Sequence, residues 1–242
     1  MSSSRARKPW TSLLPDLGAI RKVLEAERKV EQDFAENARQ SEKAPKGWPA
    51  ALLLFHLAMW RERFRERLND LSEGRLPAPP PRNADELNDA ELPNGIGTPL
   101  ADAAARSDQL LREIIDLFDK VGERPFQWYS STTTTEAVLR NSYMHPRLHL
   151  FDYMRENGAV EGAIKLFEDA FSDLDGVAPP NILVAARYNL ACARSIGGRV
   201  DEAITVLQEI LPTRADLKDA AATDIDLDAL RDDPRFKELI KR

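Results

Sequence analysis

Three histidines are the residues of this 242-residue chain whose types and spacing point to chemistry. His145 and His149 are four residues apart, so on a helix both rings leave one face about 5–6 Å apart. His56 belongs to a distant helical pattern, three residues after Leu53 and four before Trp60. If the two helices turn these faces to a common core, three neutral imidazoles would offer nitrogen ligands to a divalent ion.

The simpler interpretation is that each histidine is a hydrogen-bonded residue of a half-apolar helix face. Ser142 and Asp152 extend the histidine face by one turn in each direction, which favours a polar site because buried polar groups need partners. Asp152 is expected either to accept a hydrogen bond from a metal-binding histidine or to be an ordinary carboxylate at the boundary between the buried and exposed faces of the helix. Pro146 removes a backbone donor and can kink or restart the helix, which would change the direction of His145.

The elements that must position these residues are predicted to be helices, and the fold class to be all-α. Glycine is scarce, at 11 residues, and strand-like alternation is nearly absent. The four threonines at 132–135 are interpreted as the capped start of a helix. Apolar residues at steps of three and four predict four helices, over about 17–38, 49–71, 99–121 and 133–157. The proline-rich connection at 74–99 is predicted to be a long loop, of the kind that forms functional lids.

The pattern changes after Gly158. The stretch 159–167 recurs at 199–207 with an offset of 40 residues, which fits a helix-pair repeat of 34 residues plus a six-residue insertion near 175–180. We therefore expect a flexible tail over 1–14, a four-helix bundle over 15–158 and a short helical repeat over 159–242. Only two residues separate the fourth helix from the repeat, so we expect the two parts to pack together.

Composition excludes several classes of protein. Hydrophobic residues make up 43% and charged residues 31%, which is a globular composition, and the net charge of −6 argues against sequence-independent binding to nucleic acid. No apolar run is long enough to span a membrane, and the first residues lack the apolar segment of a signal peptide. The one cysteine, Cys192, is expected to be a packed small residue. A single cysteine suits a reducing compartment, so a cytoplasmic location is expected.

Two short segments resemble a known family. His56-Leu57-Ala58-Met59-Trp60 and the segment 141–150, NSYMHPRLHL, are similar to the second-helix and fourth-helix motifs of the DinB/YfiT-like bundles, especially the ClbS/DfsB branch. The resemblance covers about residues 15–157. It implies a metal-binding triad of His56, His145 and His149, with zinc or nickel as the first candidates and manganese or iron as alternatives. The wider superfamily includes metal-dependent thiol transferases and hydrolytic resistance proteins that act on electrophilic small molecules.

The C-terminal part resembles tetratricopeptide repeats. The segments 188–193, YNLACA, and 197–203, GGRVDEA, carry the likeness, and 226–236 is similar to the segment that closes short arrays of such repeats. The resemblance implies a groove for a peptide or protein partner. With only about two repeats, the module could instead buttress the bundle or a homodimer.

The function expected from the sequence is that of a metal-dependent hydrolase or group transferase with a small-molecule substrate. The metal would acidify a water or act as a Lewis acid on a thiol or carbonyl. A base or substrate contact is expected from the 83–91 segment, and pocket walls from three aromatic residues. The polar candidates are Asp85, Glu86, Asn88, Asp89 and Glu91. The aromatic candidates are Trp60, Trp128 and Tyr143. The alternative is a non-catalytic scaffold that binds a partner through the repeats. Neither nucleic acid nor membrane is an expected partner.

Overall fold

The computed structural model describes residues 15–41 and 44–241, and most of this part of the chain is helical. The expected tail at 1–14 lies outside the described residues. The N-terminal helices are α1 (Leu17–Gln40), α2 (Ala50–Ser72), α3 (Ala84–Glu91), α4 (Leu100–Val121), α5 (Thr134–Leu139) and α6 (His145–Glu156). The C-terminal helices are α7 (Val160–Leu174), α8 (Pro180–Ile196), α9 (Val200–Ile210), α10 (Ala215–Ala221) and α11 (Pro234–Leu239), with three short 3-10 turns at 92–95, 211–213 and 225–230.

Local sequence explains where the main N-terminal helices begin. The Asp16 side chain accepts a hydrogen bond from the backbone N–H of Ala19 and so caps α1. Pro49 and Pro99 immediately precede α2 and α4, where a residue without an N–H loses no helical hydrogen bond. The helices α1, α2, α4 and α6 then bury their apolar stripes against one another, with Leu24, Phe64, Leu111 and Phe118 fully enclosed.

The connections differ from the expectations at two places, although Thr133 does cap a helix as expected. A small antiparallel hairpin, β1 (Pro125–Trp128) and β2 (Ser131–Thr133), precedes α5, so Thr133 both ends a strand and caps the next helix. The 74–99 connection is also not a loop throughout, because Asn83 caps α3 and starts a helix within it. Capping outweighs the proline-rich composition there.

The segment 83–95 is held against α2. The backbone of Gly95 lies so close to the ring of Phe55 that a Cβ at this position would clash with the ring. Glu91 forms an ion pair with Arg63 of α2. The close approach of Gly95 to Phe55 is possible only for a glycine. Together with the ion pair, it fixes α3 beside the part of α2 that carries His56.

The expected fourth helix forms as α5 and α6 joined by one π turn at Arg140–Met144. The backbone N–H of His145 donates to the carbonyl of Arg140, five residues back, and Pro146 occupies the first turn of α6. The widened turn accommodates the proline without ending the helix, so the helix continues through the histidine pair.

The sequence repeat corresponds to a repeat of structure. Val160 and Val200, which are 40 residues apart, are the first residues of α7 and α9. Ala163 and Ala203, one turn later, are fully buried, so each lets its helix approach a neighbour closely. One apolar core runs from the N-terminal helices into α7 and α8, and a second joins α8 to the helices that follow. The two parts therefore pack together, as expected from the two-residue connection.

Two arginine–glutamate pairs are enclosed in the core. Arg147 Nε of α6 lies 2.6 Å from Glu27 Oε2 of α1, and Arg61 Nη2 of α2 lies 2.5 Å from Glu31 Oε1 of α1. All four side chains are at most 6% exposed. Arg147 also donates to the carbonyl of Leu166 in α7 at 2.8 Å, so it links three helices.

The described residues contain no helix with the length and apolar character of a membrane span.

The buried pair Glu27–Arg147 gives a prediction about stability. Glu27→Leu should lower the free energy of unfolding by about 3–5 kcal/mol, because it leaves a buried guanidinium without its carboxylate. The double variant Glu27→Leu/Arg147→Met should recover part of this loss. Glu25→Leu, in a more exposed pair of the same helix, is the control and should change little. Urea denaturation measures all three, and a double variant no more stable than the single one would contradict the explanation.

Candidate functional site

The three histidines converge on one point between α2 and α6. The Nε2 atoms of His56 and His145 are 3.2 Å apart, those of His56 and His149 are 3.1 Å apart, and those of His145 and His149 are 2.9 Å apart. His56 is 2% exposed and the other two are partly buried. Three residues that the sequence separates by up to 93 positions thus form a nearly equilateral triangle of ring nitrogens.

This triangle fits a metal ion better than a hydrogen-bond network. A proton on one Nε2 can point along only one edge, whereas an ion above the triangle contacts all three lone pairs. At a metal–nitrogen distance of about 2.1 Å, ligands at right angles lie about 3.0 Å apart and tetrahedral ligands about 3.4 Å apart. The observed edges of 2.9–3.2 Å are close to these separations, so the three nitrogens could be ligands of one ion.

Burial keeps the imidazoles neutral. Desolvation, followed by the nearby His149, lowers the pKa of His56 to about 3, and desolvation lowers the pKa of His149 to about 4. The pKa of His145 is also well below its usual value, again mainly through burial. Neutral rings at pH 7 keep a lone pair free for an ion, which is the state that metal binding requires.

A cavity of about 270 Å³ opens in front of the triangle and is largely aromatic. The ring of Trp48 stacks on His149 at a centroid distance of 6.0 Å, and Trp60 lies edge-on to His145 at 6.5 Å. Trp60 Nε1 donates to Asn88 Oδ1 of α3 at 3.0 Å. The full lining of the cavity adds His56, Ala84, Trp128, Tyr129, Arg140 and Asn141.

Asp152 borders the site on its other side. It lines a second cavity of about 310 Å³ together with His149, Trp48 and Glu156. Burial raises the pKa of Asp152, and its carboxylate pairs with Arg155 at 3.1 Å. The hydrogen bond to a ligand histidine that the sequence suggested is not formed, so Asp152 is a neighbour of the triangle and not its support.

Two other expected site residues, Ser142 and Tyr143, do not line the cavity in front of the histidines. The Ser142 hydroxyl accepts from the Asn141 side chain, and its carbonyl faces Arg61 in the core. The Tyr143 hydroxyl donates to Asp173 of α7, on the side of the helix away from the cavity.

Of the polar residues expected from the 83–91 segment, Asn88 lines the cavity in front of the histidines. Trp60 and Trp128 also line this cavity.

Three residues that line the cavity were not among the site residues expected from the sequence. Trp48 lies in the turn before α2, Arg140 begins the π turn and Tyr129 occupies the two-residue loop of the hairpin. Tyr129 has a φ of 50°, a left-handed conformation that favours glycine, and in the described part of the chain no other non-glycine residue shares it. Trp48 carried one usable signal, since an aromatic residue between Gly47 and Pro49 lies directly before the helix of His56.

Two further features lie apart from the histidines. Cys192, Asp224 and Asp226 form a second group of possible metal ligands, but Tyr188 donates to Asp224 and Arg155 pairs with Asp226. Burial raises the pKa of the Cys192 thiol, which favours the packed residue that the sequence predicted. A larger cavity, of about 780 Å³, lies between the ends of α1 and α6 and contains none of the histidines.

Comparison of the chain with protein-family models, curated proteins and solved structures finds no match. The likeness to DinB-like bundles and to tetratricopeptide repeats therefore remains a prediction from short motifs. The geometry of the site carries the argument about function.

The contact between Asn88 and Trp60 can be tested directly. Asn88→Ala should cost about 1–3 kcal/mol, because it leaves the indole N–H of a nearly buried tryptophan without an acceptor. Hydrogen exchange should then become faster in α3 and remain unchanged in α4. Asp89→Ala, at an exposed position of the same helix, is the matched control. Equal protection of α3 in both variants would show that Asn88 does not hold this helix.

Proposed function

We propose that this chain is a metal-dependent enzyme in which His56, His145 and His149 hold one divalent ion. The observation that carries the proposal is the set of three Nε2–Nε2 distances, 2.9–3.2 Å, around one point. Neutral imidazoles are ligands for zinc, nickel, iron and manganese, and zinc or nickel are the first candidates because they rank higher among nitrogen-binding ions.

The proposed architecture is a DinB-like four-helix bundle followed by a tetratricopeptide-like module. The packing of α1, α2, α4 and α6 around a common core supports the bundle, because metal sites in bundles are built from side chains on facing helices. The 40-residue spacing of α7 and α9 supports the repeat. The shared core of α7 with the N-terminal helices favours a buttressing role for this module.

The proposed reaction is hydrolysis, or transfer of a thiol or similar group, on a small electrophilic molecule. A divalent ion here would acidify a bound water or thiol, or polarise a carbonyl. The chain's own residues would do the rest. Trp48, Trp60 and Trp128 would enclose the substrate and limit access of bulk water. Asp152, beside His149 in the adjoining cavity, would accept a proton, and burial raises its pKa, which makes it a stronger base.

Metal content tests the proposal. Purified wild-type chain, incubated with zinc, nickel, manganese or anaerobic ferrous iron and then desalted, should retain about one equivalent of at least one of these metals by elemental analysis. His56→Ala/His149→Ala should lose it, because a single imidazole cannot replace three. Circular dichroism should show that the variant remains folded.

The second group of possible ligands supplies the control. Cys192→Ser removes the thiol of that group and should retain the full metal content. A wild-type chain that binds none of the four metals would overturn the proposal. So would a double histidine variant that binds as much metal as the wild type.

A further inference from the structure

Arg140 brings a positive charge without an ion-pair partner among the described residues to the cavity in front of the histidines. It is partly buried, and its Nε donates to the hydroxyl of Ser131 at 3.3 Å. Across residues 15–41 and 44–241 it has no ion-pair partner. Glu136, one turn earlier, attracts Arg140 through its charge, but its carboxylate accepts hydrogen bonds from the backbone N–H and hydroxyl of Thr132 and forms no ion pair with the arginine. Within the described part of the chain, the hydrogen bond to Ser131 uses only Nε and leaves the two terminal nitrogens of the guanidinium without a hydrogen bond.

The remainder of the cavity also favours an anion. None of its described lining residues is acidic, and the polar ones other than Arg140 and the histidines are Asn88, Asn141 and Tyr129. An arginine stays protonated at any physiological pH even when burial makes its charge costly. Burial lowers the pKa of Arg140 although Glu136 attracts its charge, so the guanidinium is costly for the folded chain without a directly paired carboxylate, and an incoming anion would relieve that cost.

The walls indicate what kind of molecule carries the anionic group. Trp48, Trp60, Trp128 and Tyr129 present aromatic rings, and two of them, Trp48 and Tyr129, are each 38% exposed at the rim. Aromatic rings pack well on planar or unsaturated groups. The volume of about 270 Å³ is at the small end of the range for ligand cavities, so the molecule must be small.

We propose that Arg140 binds the carboxylate of a small planar substrate whose body packs among these aromatic residues, with its other end toward the three histidines. The planar fork of a guanidinium matches the two oxygens of a carboxylate, so one residue can fix both position and orientation. The orientation toward a metal rests on the function proposed above. The anion site itself rests on Arg140 and the cavity and stands independently of a metal.

Benzoate and benzamide provide a matched pair of probes, nearly equal in shape and different in charge. Calorimetric titration should show wild-type chain binding benzoate at least tenfold more tightly than benzamide, with or without prior treatment with a chelator. Arg140→Gln should remove this preference and leave benzamide binding and zinc content unchanged. Arg140→Lys should retain part of it, because a lysine keeps the charge but not the fork. Arg82→Gln, at an exposed position outside the cavity, should retain all of it.

The outcomes separate the two proposals. A wild-type chain without preference for benzoate, or an Arg140→Gln variant with an undiminished preference, overturns the anion site while zinc retention still supports the metal. A preference that requires zinc and persists in Arg140→Gln also overturns it, since the metal alone would then hold the carboxylate. An Arg140-dependent preference in a chain that retains no metal supports the anion site and removes the proposed metal chemistry.

Discussion

The orientation of α6 depends on one buried guanidinium. Residues two positions apart on a helix are rotated by about 200°, so Arg147 leaves α6 on the side opposite His145 and His149. Its partners are Glu27 of α1, the Leu166 carbonyl of α7 and, at 3.3 Å, Asp173. Turning α6 about its axis would leave this charge buried without partners, at a cost of several kcal/mol. The same contacts that satisfy Arg147 therefore aim both histidines at the cavity.

The second buried pair extends this constraint to His56. Arg61 lies on α2 with His56, and its carboxylate partner is Glu31, four residues after Glu27 on α1. The two helices that carry the three histidines are thus aligned on carboxylates one turn apart on a common helix. Burial raises the pKa of Glu27 against the attraction of Arg147, because desolvation opposes the charged pair. Buried ion pairs of this kind commonly add little net stability. The main effect of the pair is to select one arrangement of the helices, a known use of buried polar groups.

The sequence sufficed to predict the parts of the site that follow helical periodicity. Apolar stripes predicted α1, α2 and α4, and the i, i+4 spacing predicted the face shared by His145 and His149, because both depend on local geometry. Tyr129 and Arg140 could not be predicted, because their places depend on a strained hairpin loop and a π turn, and for Trp48 the only signal was its position directly before the helix of His56. Pro146 signalled an irregularity, but whether the helix kinks, restarts or widens depends on packing that the sequence does not display.

These irregular segments surround the cavity, whereas regular helices form its floor. His56 and the aromatic ring of Trp60 lie on α2, and His145 and His149 lie on α6, both fixed by the buried pairs. The rim is different, because Tyr129 is held in a left-handed conformation that costs about 1–3 kcal/mol and Trp48 lies outside any helix. Substitutions at the rim would disturb few buried contacts, while substitutions in the floor would disturb the alignment of the helices. The ligand that the cavity accepts can therefore change more readily than the arrangement of the three imidazoles.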